Sequence, residues 1–171
     1  MEGNANGSVI LIDSNVFLHL DLNINSDRNK VLFGEKAVRQ AIFHAIDRQS
    51  IADQLMEGTV TVVNGPFNPN GVWVNKEVKG YEYDVELSKK MLAEAGWAPG
   101  SDGILTKDGE RFSFTIINRA GRLDRIQVAQ VIQAQLKEVG IEVLFETLES
   151  AAWTSQWRSG EWDAVVSGWF L

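Results

Sequence analysis

The sequence predicts an α/β fold in which helices flank a mixed β-sheet, with a βαβαβ unit at the C-terminal end. Apolar and polar residues alternate over 112–116 and again over 141–146, as expected of two strands. Between them, apolar residues recur at helical spacing over 126–139. A strand–helix–strand crossover joins parallel neighbours, so these elements predict a parallel part of the sheet. A further strand candidate at 16–23 has to be fitted in as well, which makes the expected sheet mixed.

Size and composition limit the class of protein. The chain has 171 residues, a formal net charge of −7, 44% hydrophobic and 23% charged residues, which is typical of one folded domain with a substantial core. Its lack of cysteine excludes disulfides, thiolate nucleophiles and cysteine-based zinc sites. The acidic charge argues against nucleic acid as a partner. No apolar run approaches the ~18 residues that a membrane-spanning helix needs.

The first part of the chain is predicted to begin with a strand and continue in helices. Residues 16–23 alternate as a strand does, and the polar stretch 25–29 is typical of a loop. A helix is predicted from Glu35 onward because apolar residues recur on one face. Asp47 can cap a second helix by accepting hydrogen bonds from backbone N–H groups, and Gly58 is a residue at which that helix can end.

Two loops enclose the next predicted helix. The first loop, at 64–71, contains two of the three prolines. Asp84 is expected to cap the helix, whose apolar residues recur on one face, and Gly96 is expected to end it. The second loop is predicted at 96–109, where glycine and aspartate are frequent.

The last third of the chain has the most regular pattern. Its predicted elements are a strand at 112–116, a polar loop at 118–124, a helix ending at Gly140, a strand at 141–146, a short helix at 148–158 and a strand at 162–171. The last of these is an almost unbroken apolar run, which is typical of a strand covered on both faces.

The familiar catalytic patterns are absent from the sequence. His19 and His44 lie on a predicted strand and a predicted helix, and neither has a second ligand at zinc-binding spacing. There is no Gly-x-Ser-x-Gly elbow to place a nucleophilic serine, and neither glycine-rich phosphate-binding pattern occurs. The sequence therefore carries no enzyme signature.

A polar segment that begins at Asn118 is the first candidate for ligand binding. It follows a predicted parallel strand and precedes a helix, the position where open α/β sheets collect ligands and where a helix presents free N–H groups. The Asn118 amide can donate and accept hydrogen bonds at once, which suits an extended ligand of both polarities. The alternative is a solvated loop in which Arg119 and Arg122 pair with nearby acids.

Tryptophans are the second candidate feature. Trp153, Trp157, Trp162 and Trp169 lie close together in the sequence, and large rigid aromatic side chains are common on ligand-binding surfaces. Core packing is the expectation for Trp153 and Trp162, since both sit in apolar patterns. Trp169 differs, because it lies where the last strand should emerge at the ligand end of the sheet.

Arg158 follows Trp157 and has two interpretations. Its guanidinium can bind a ligand carboxylate or a backbone carbonyl. Equally, it can balance Glu161 and Asp163, the acids that follow it in the sequence.

A series of motifs resembles the extracellular solute-binding proteins of family 5, the oligopeptide, dipeptide and nickel class of ABC importers. The series extends over roughly residues 16–171 and consists of Val38-Arg-Gln-Ala41, Ala45-Ile-Asp-Arg48, Ile51, Gly58, Tyr83-Asp84, Leu92-Ala-Glu-Ala-Gly-Trp97, Asp102-Gly-Ile, Asp108-Gly109, Ala129, Leu136-Lys-Glu-Val-Gly-Ile141, Trp162-Asp163 and Gly168-Trp169.

The resemblance implies a non-enzymatic, ligand-binding role. Family members are bilobed, close on their solute and dock on a membrane permease, and they are much longer than this chain. The resemblance therefore implies one lobe of a periplasmic-binding-protein-like (type II) fold, the C-terminal one, over residues 16–171, preceded by an N-terminal extension at 1–15. The implied partners are a peptide or other small solute, the missing second lobe and, through the full-length protein, the permease of an ABC importer. The implied location is periplasmic or at the cell surface.

The resemblance also implies which residues line the ligand cleft. In similar peptide binders the cleft positions correspond to Asn118, Trp157, Arg158, Trp169 and Phe170. No metal site, cofactor or catalytic residue is implied. Peptide binders usually place an acidic residue just beyond the Gly-Trp pair, and this sequence ends before that position. We therefore expect weak ligand affinity from this chain alone.

Two other functions compete with a receptor lobe. One is a small self-contained α/β enzyme that uses Asp or Glu as acid and base, which predicts a closed pocket with two carboxylates and a raised pKa. The other is a non-catalytic interaction module that associates with itself through the cleft face. For a receptor lobe, peptides, nickel chelates and oligosaccharides all remain candidate solutes.

Overall fold

The computed structural model describes residues 16–67, 69–72 and 74–170. The predicted N-terminal extension at 1–15 and the last residue of the predicted final strand lie outside these ranges. The strands are β1 (Val16–Leu22), β2 (Ala98–Pro99), β3 (Leu105–Lys107), β4 (Glu110–Arg111), β5 (Ser113–Arg119), β6 (Glu142–Leu148) and β7 (Ala164–Phe170). The helices are α1 (Asp27–Phe33), α2 (Lys36–His44), α3 (Arg48–Ser50), α4 (Val85–Glu94), α5 (Leu123–Glu138) and α6 (Ser150–Ser159).

Four strands form the mixed sheet that the sequence predicts, in the order β1-β7-β5-β6. β5 is parallel to both β6 and β7, and Ile116 of β5 lies opposite Ala164 of β7. β1 runs antiparallel to β7, so that Val16 at its start pairs with Phe170. The C-terminal βαβαβ unit and the mixed sheet are therefore both confirmed.

The face of the sheet that α5 covers holds the main hydrophobic core. Because side chains alternate along a strand, Phe114 and Ile116 of β5 share this core face with Ala164 and Val166 of β7. The core extends into α1, α2 and α4 through aromatic packing. The Phe33 ring meets the Phe114 ring edge-on at 5.1 Å between centroids.

The opposite face of the sheet, here called the aromatic face, is covered only in part. It contains the alternate residues of β1 and β7, including Phe17, His19 and Trp169. α6 lies across it, with Trp157 against Trp169 at 6.3 Å between ring centroids. None of the residues of α6 is fully buried, so this helix covers the sheet loosely.

The predicted loop at 25–29 is wrong in its second half. Ser26 accepts a hydrogen bond from the Asn29 backbone N–H, which caps α1 and starts the helix at Asp27. α2 is confirmed, as is the capping role of Asp47, whose carboxylate accepts from the Ser50 backbone N–H at 2.9 Å. The second helix is not regular, since α3 passes into a π-helical turn at Ile51–Leu55.

α4 is confirmed with its predicted cap, because the Asp84 carboxylate accepts from the Leu87 backbone N–H. The predicted loop at 96–109 is wrong, since it contains β2 and β3, which form a small antiparallel sheet with β4. Arg111 of β4 ties this sheet to β6 by donating to both oxygens of Glu142 at 3.1 Å.

Near the C-terminus, two expectations need correction. β5 continues through Asn118 to Arg119 and α5 begins at Leu123, so the predicted loop at 118–124 is only a short turn between them. β7 is buried at its first three residues and emerges toward solvent at its end, so the prediction of a strand covered on both faces holds only for its start. Within the described ranges, none of the helices is long and apolar enough to cross a membrane.

Candidate ligand-binding site

One end of the sheet brings most of the candidate residues together. The carboxyl ends of the parallel strands β5 and β7 lie there, and the start of the antiparallel strand β1 lies beside them. We call this end the carboxyl edge; it comprises residues 16–17, 118–119 and 168–170. Large apolar side chains are exposed at this edge, with Trp169 53% and Phe170 87% accessible. Ligands of open α/β sheets bind outside the carboxyl ends of the strands, which makes this edge the candidate site.

A row of aromatic rings crosses the aromatic face at the carboxyl edge. The ring centroids of Trp153 and Trp157 are 5.9 Å apart in a stacked arrangement, and Trp157 lies 6.3 Å from Trp169. Trp169 stacks on His19 at 6.3 Å, and His19 stacks on Phe17 at 5.2 Å. The row offers rigid apolar area at low entropic cost, which suits the side chains of an organic ligand.

Core packing, the expectation for Trp153 and Trp162, is wrong. Both side chains are half-buried, and neither belongs to the core beneath the sheet. The Trp162 indole donates to the Trp157 backbone carbonyl at 3.0 Å, whereas the buried indole nitrogen of Trp153 has no partner among the described residues. For Trp153 the reason is that α6, none of whose residues is fully buried, lies loosely on the sheet.

Asn118 is buried at the carboxyl edge and only 3% of it is accessible. By alternation with Ile116 it lies on the core face, not with the tryptophans on the aromatic face. Its amide nitrogen makes one long bond to the Ile116 carbonyl at 3.4 Å. The amide oxygen has no partner among the described residues. Since buried polar groups are normally paired, this oxygen is a position at which a ligand or water would be stabilised.

The arginines at the start of α5 differ in their partners. Arg122 donates to both carboxylate oxygens of Asp124, at 2.9 and 3.2 Å. These bonds raise the pKa of Arg122 and lower that of Asp124. The expected pairing with a nearby acid is therefore confirmed for Arg122. Arg119 is exposed at the end of β5.

Arg158 is separate from the other candidates. It is exposed on α6 and borders an open depression of about 620 Å³ together with Ser150, Ala151, Thr154 and Ser155. Within the described residues, no hydrogen bond, ion pair or ring contact connects it to another candidate. It also forms no ion pair with Glu161 or Asp163, so the balancing interpretation is wrong. Asp163 instead binds Arg28 at 3.2 Å.

Sequence reasoning did not single out Arg125, whose guanidinium lies against β7 on the core face. One guanidinium nitrogen is 3.1 Å from the point where a Cβ on Gly168 would sit. Helical spacing from Arg122 indicates that Arg125 stands on the first turn of α5. The contact with Gly168 depends on tertiary packing and leaves no signal in the sequence.

The ionisable groups do not favour a carboxylate enzyme. Where a carboxylate pKa departs from its usual range, it is lowered, at Asp47, Asp102, Asp124 and Glu142, and hydrogen bonding is the main cause each time. An acid–base pair would need at least one raised pKa. In the ranges that the structure describes, no cluster of three or more His, Asp or Glu side chains is arranged to hold a metal ion.

The mixed α/β sheet with an open, aromatic-rich carboxyl edge has the architecture of the periplasmic-binding-protein type. The family model described as bacterial extracellular solute-binding proteins, family 5, middle region, matches residues 2–171. The chain belongs to this family.

Curated relatives and solved structures agree with this assignment. The chain is 43% identical to the oligopeptide-binding protein AppA of Bacillus subtilis over 145 residues, and 31% identical to the nickel-binding protein NikA of Staphylococcus aureus over 131 residues. These alignments cover 82% and 77% of the chain but only 27% and 24% of the relatives. The chain thus spans about a quarter of the length of these curated relatives.

Among solved structures, AppA of Bacillus subtilis in complex with a nonapeptide has a TM-score of 0.78 at 38% identity, over 92% of this chain and 33% of that one. An oligopeptide-binding protein of Thermus thermophilus complexed with a pentapeptide has a TM-score of 0.82 at 29% identity, over 91% of this chain and 28% of that one. The expected type II fold is therefore confirmed.

Proposed function

We propose that this chain is the ligand-binding lobe of an extracytoplasmic receptor that delivers peptides or similar small solutes to an ABC importer. The observation that carries the proposal is that the carboxyl edge of this family member combines exposed aromatic side chains with an unpaired buried amide. Exposed Trp169 and Phe170 lie there together with the unpartnered amide oxygen of Asn118. A surface that combines exposed aromatic rings with an unsatisfied buried polar group is suited to a ligand of mixed polarity.

Peptides are the solute class that the site favours. A peptide presents both hydrogen-bond donors and acceptors, which the Asn118 amide can pair, and apolar side chains, which can pack on the row formed by Trp153, Trp157 and Trp169. Solved relatives hold a nonapeptide and a pentapeptide. Nickel chelates and oligosaccharides are the other solutes to be tested, because a relative at 31% identity is a nickel-binding protein and aromatic rings also suit sugars.

Membership of the family supports the rest of the proposed receptor. Residues 16–171 form one lobe after an N-terminal extension at 1–15, and a second lobe closes over the carboxyl edge. The permease of the importer is the membrane partner, and the location is periplasmic or at the cell surface. The chain has no catalytic role in this proposal, in keeping with relatives that are binding proteins.

The experiment is affinity selection with mass-spectrometric readout. The chain is incubated with a random tetrapeptide pool, an oligosaccharide pool and a nickel–histidine mixture, and the retained solutes are identified. We expect peptides to be retained, and we expect Trp169→Ala to reduce their retention. Phe67→Ala is the matched control, because Phe67 is 55% exposed on the 64–71 loop and belongs to none of the strands of the sheet. Equal loss in both variants, or retention of none of the pools, would contradict the proposal.

A further inference from the structure

Arg125 lies against Gly168 of β7, close to the carboxyl edge. A Cβ on Gly168 would lie 3.1 Å from the Arg125 guanidinium and 3.2 and 3.3 Å from the side chains of Leu18 and Val16. Such distances are tighter than ordinary van der Waals contact. The φ angle of Gly168 is not among the positive ones, so backbone conformation does not require a glycine here; a Cβ would instead require the neighbouring side chains to shift by a few tenths of an ångström. The absent side chain leaves room for the Arg125 guanidinium to approach the strand.

This cation has no hydrogen-bond or ion-pair partner among the described residues. The Arg125 Nε is buried and unpaired, and the side chain makes no hydrogen bond or salt bridge with any of the described residues. Other arginines are engaged: Arg28, Arg111 and Arg122 bind carboxylates, and Arg39 and Arg48 donate to backbone carbonyls. Arg119 and Arg158 are exposed to solvent. Within the described residues, Arg125 is thus the one partly buried arginine that lacks a partner.

The surroundings of Arg125 disfavour its charge. Burial is the main cause that lowers the pKa of Arg125, and the neighbouring cation Arg122 lowers it further. The nearby acid Asp124 is held through both oxygens by Arg122. Asp124 raises the pKa of Arg125, but it offsets the effects of burial and of Arg122 only in part. An anion at this point would add a favourable interaction with the Arg125 guanidinium and offset the repulsion from Arg122.

A second unpaired group lies on the same face. Asn118 and Arg125 both lie on the core face. Ile116 of β5 pairs with Ala164 of β7, and Asn118 follows Ile116 by two residues. Gly168 stands four residues after Ala164. The amide oxygen of Asn118 and the Nε of Arg125 are both buried without a partner among the described residues, so one acceptor and one donor near the carboxyl edge are unsatisfied. The exposed ring of Phe170 flanks them on β7.

We propose that Arg125 is the specificity-determining residue for a carboxylate of the ligand, which its guanidinium binds over Gly168 while Asn118 accepts a neighbouring N–H. This inference rests on the proposed function, since it names the ligand group that enters the same site. A guanidinium binds a carboxylate through two parallel hydrogen bonds, which gives both affinity and orientation. The carboxylate can be a peptide C-terminus or an acidic side chain.

The test compares three peptides that differ in their carboxylate. The probes are Ala-Phe-Ala with a free C-terminus, Ala-Phe-Ala amide and Ala-Phe-Glu amide, titrated into the chain with affinity measured by NMR shift changes. We expect at least one carboxylate-bearing probe to bind about 10- to 100-fold more tightly than Ala-Phe-Ala amide. Preference for the free C-terminus or for the Glu probe identifies the source of the carboxylate. Arg125→Gln should abolish the preference, and Arg125→Lys should restore part of it.

Lys90→Gln is the charge-matched control. It removes one positive charge from α4, where Lys90 is exposed, and should leave the preference unchanged. If all three probes bind equally and Arg125→Gln changes none of them, Arg125 has no such role while the proposed function stands. If none of the probes binds the unaltered chain, the proposed function itself fails and the inference falls with it.

Stability without ligand gives an independent readout. Since Arg125 is an unpaired, partly buried cation, Arg125→Gln should leave the melting temperature unchanged or raise it. A structural role would instead lower the melting temperature of the variant. A clear loss of stability together with unchanged ligand preference would overturn the inference.

Discussion

The two ends of the parallel strands are built in opposite ways. At the amino end, Arg28 is paired with Asp163 and Arg111 with Glu142, and the rings of Phe112 and Trp97 are buried. Two buried polar atoms at this end, Asn29 Oδ1 and Trp97 Nε1, lack a partner among the described residues. At the carboxyl edge, Asn118 and Arg125 also carry buried polar atoms without a partner in the described part of the chain, but there the side chains of Trp169 and Phe170 are exposed. The arrangement at the amino end is typical of a surface that stabilises the fold. The arrangement at the carboxyl edge is typical of a surface that a ligand or a partner covers.

Asp163 shows how the amino end is completed. Its carboxylate accepts from the Thr115 backbone N–H at 3.0 Å and from Arg28 at 3.2 Å. The side chain thus takes the place of a strand partner just before β7 begins. Arg28 also donates to the Ser113 carbonyl, so this end of β5 has few unpaired groups.

The difference teaches that stability and recognition are separable in this domain. Substitutions at the amino end should lower the free energy of unfolding, whereas substitutions at the carboxyl edge should alter ligand binding and leave the fold intact. Each of the following predictions therefore compares one residue at the amino end with a counterpart at the carboxyl edge.

The largest contrast is expected between two phenylalanines. Phe112 is fully buried, with the Trp97 ring 4.3 Å away, so Phe112→Ala should cost about 3–5 kcal/mol of unfolding free energy. Phe170 is 87% exposed, so Phe170→Ala should change it by less than about 0.5 kcal/mol. Urea denaturation of both variants measures the difference. Similar losses in the two variants would show that the carboxyl edge also stabilises the fold.

A smaller contrast is expected between two polar residues. Asp163→Ala removes the acceptor of the Thr115 N–H and should cost about 1–3 kcal/mol, because that backbone donor is left unpaired. Asn118→Ala removes an amide whose oxygen is unpartnered and should cost less than Asp163→Ala does. Thermal unfolding of the two variants tests this order. A larger loss for Asn118→Ala would mean that its amide has a structural role.

Acid sensitivity should be greater at the amino end. Hydrogen bonds from Arg111 lower the pKa values of Glu142 and Asp102, and one from Arg122 lowers that of Asp124 at the carboxyl edge. A lowered pKa means that the stabilisation is present above the usual carboxyl range, about pH 4, and is lost as the pH falls through the folded-state value.

Melting temperatures at pH 7 and pH 3 of Arg111→Gln and Arg122→Gln test this comparison. Each variant should lose less stability on acidification than the unaltered chain, and the change should be larger for Arg111→Gln because Arg111 holds two carboxylates. An acid response that is the same in the unaltered chain and in Arg111→Gln would show that these ion pairs do not cause the pH dependence of stability.

Local sequence patterns predicted the fold correctly where the structure of an element depends only on interactions within that element. Asp47 and Asp84 cap helices as predicted, because a cap needs only the next few backbone N–H groups. The pattern failed at β2 and β3, whose few residues are held by pairing with neighbouring strands. It also failed at Asn118, since a polar residue at the end of a buried strand has the composition of a loop.

The candidate site was predictable only in part, for a related reason. The exposure of Trp169 follows from its place at the end of β7, which the sequence order reveals. The half-buried state of Trp153 and the approach of Arg125 to Gly168 depend on how α6 and α5 lie on the sheet. Contacts between distant elements leave no periodic signal, so these features required the structure.

The most direct test of the central claim is a map of ligand-induced chemical shift changes in the ¹⁵N-labelled chain, titrated with Ala-Phe-Ala up to millimolar concentration so that weak binding is detected. The claim predicts the largest changes at the carboxyl edge, at the backbone amides of Asn118, Gly168 and Phe170 and at the indole of Trp169. Changes centred on the amino end around Asp163 and Arg111, or none at all, would contradict it.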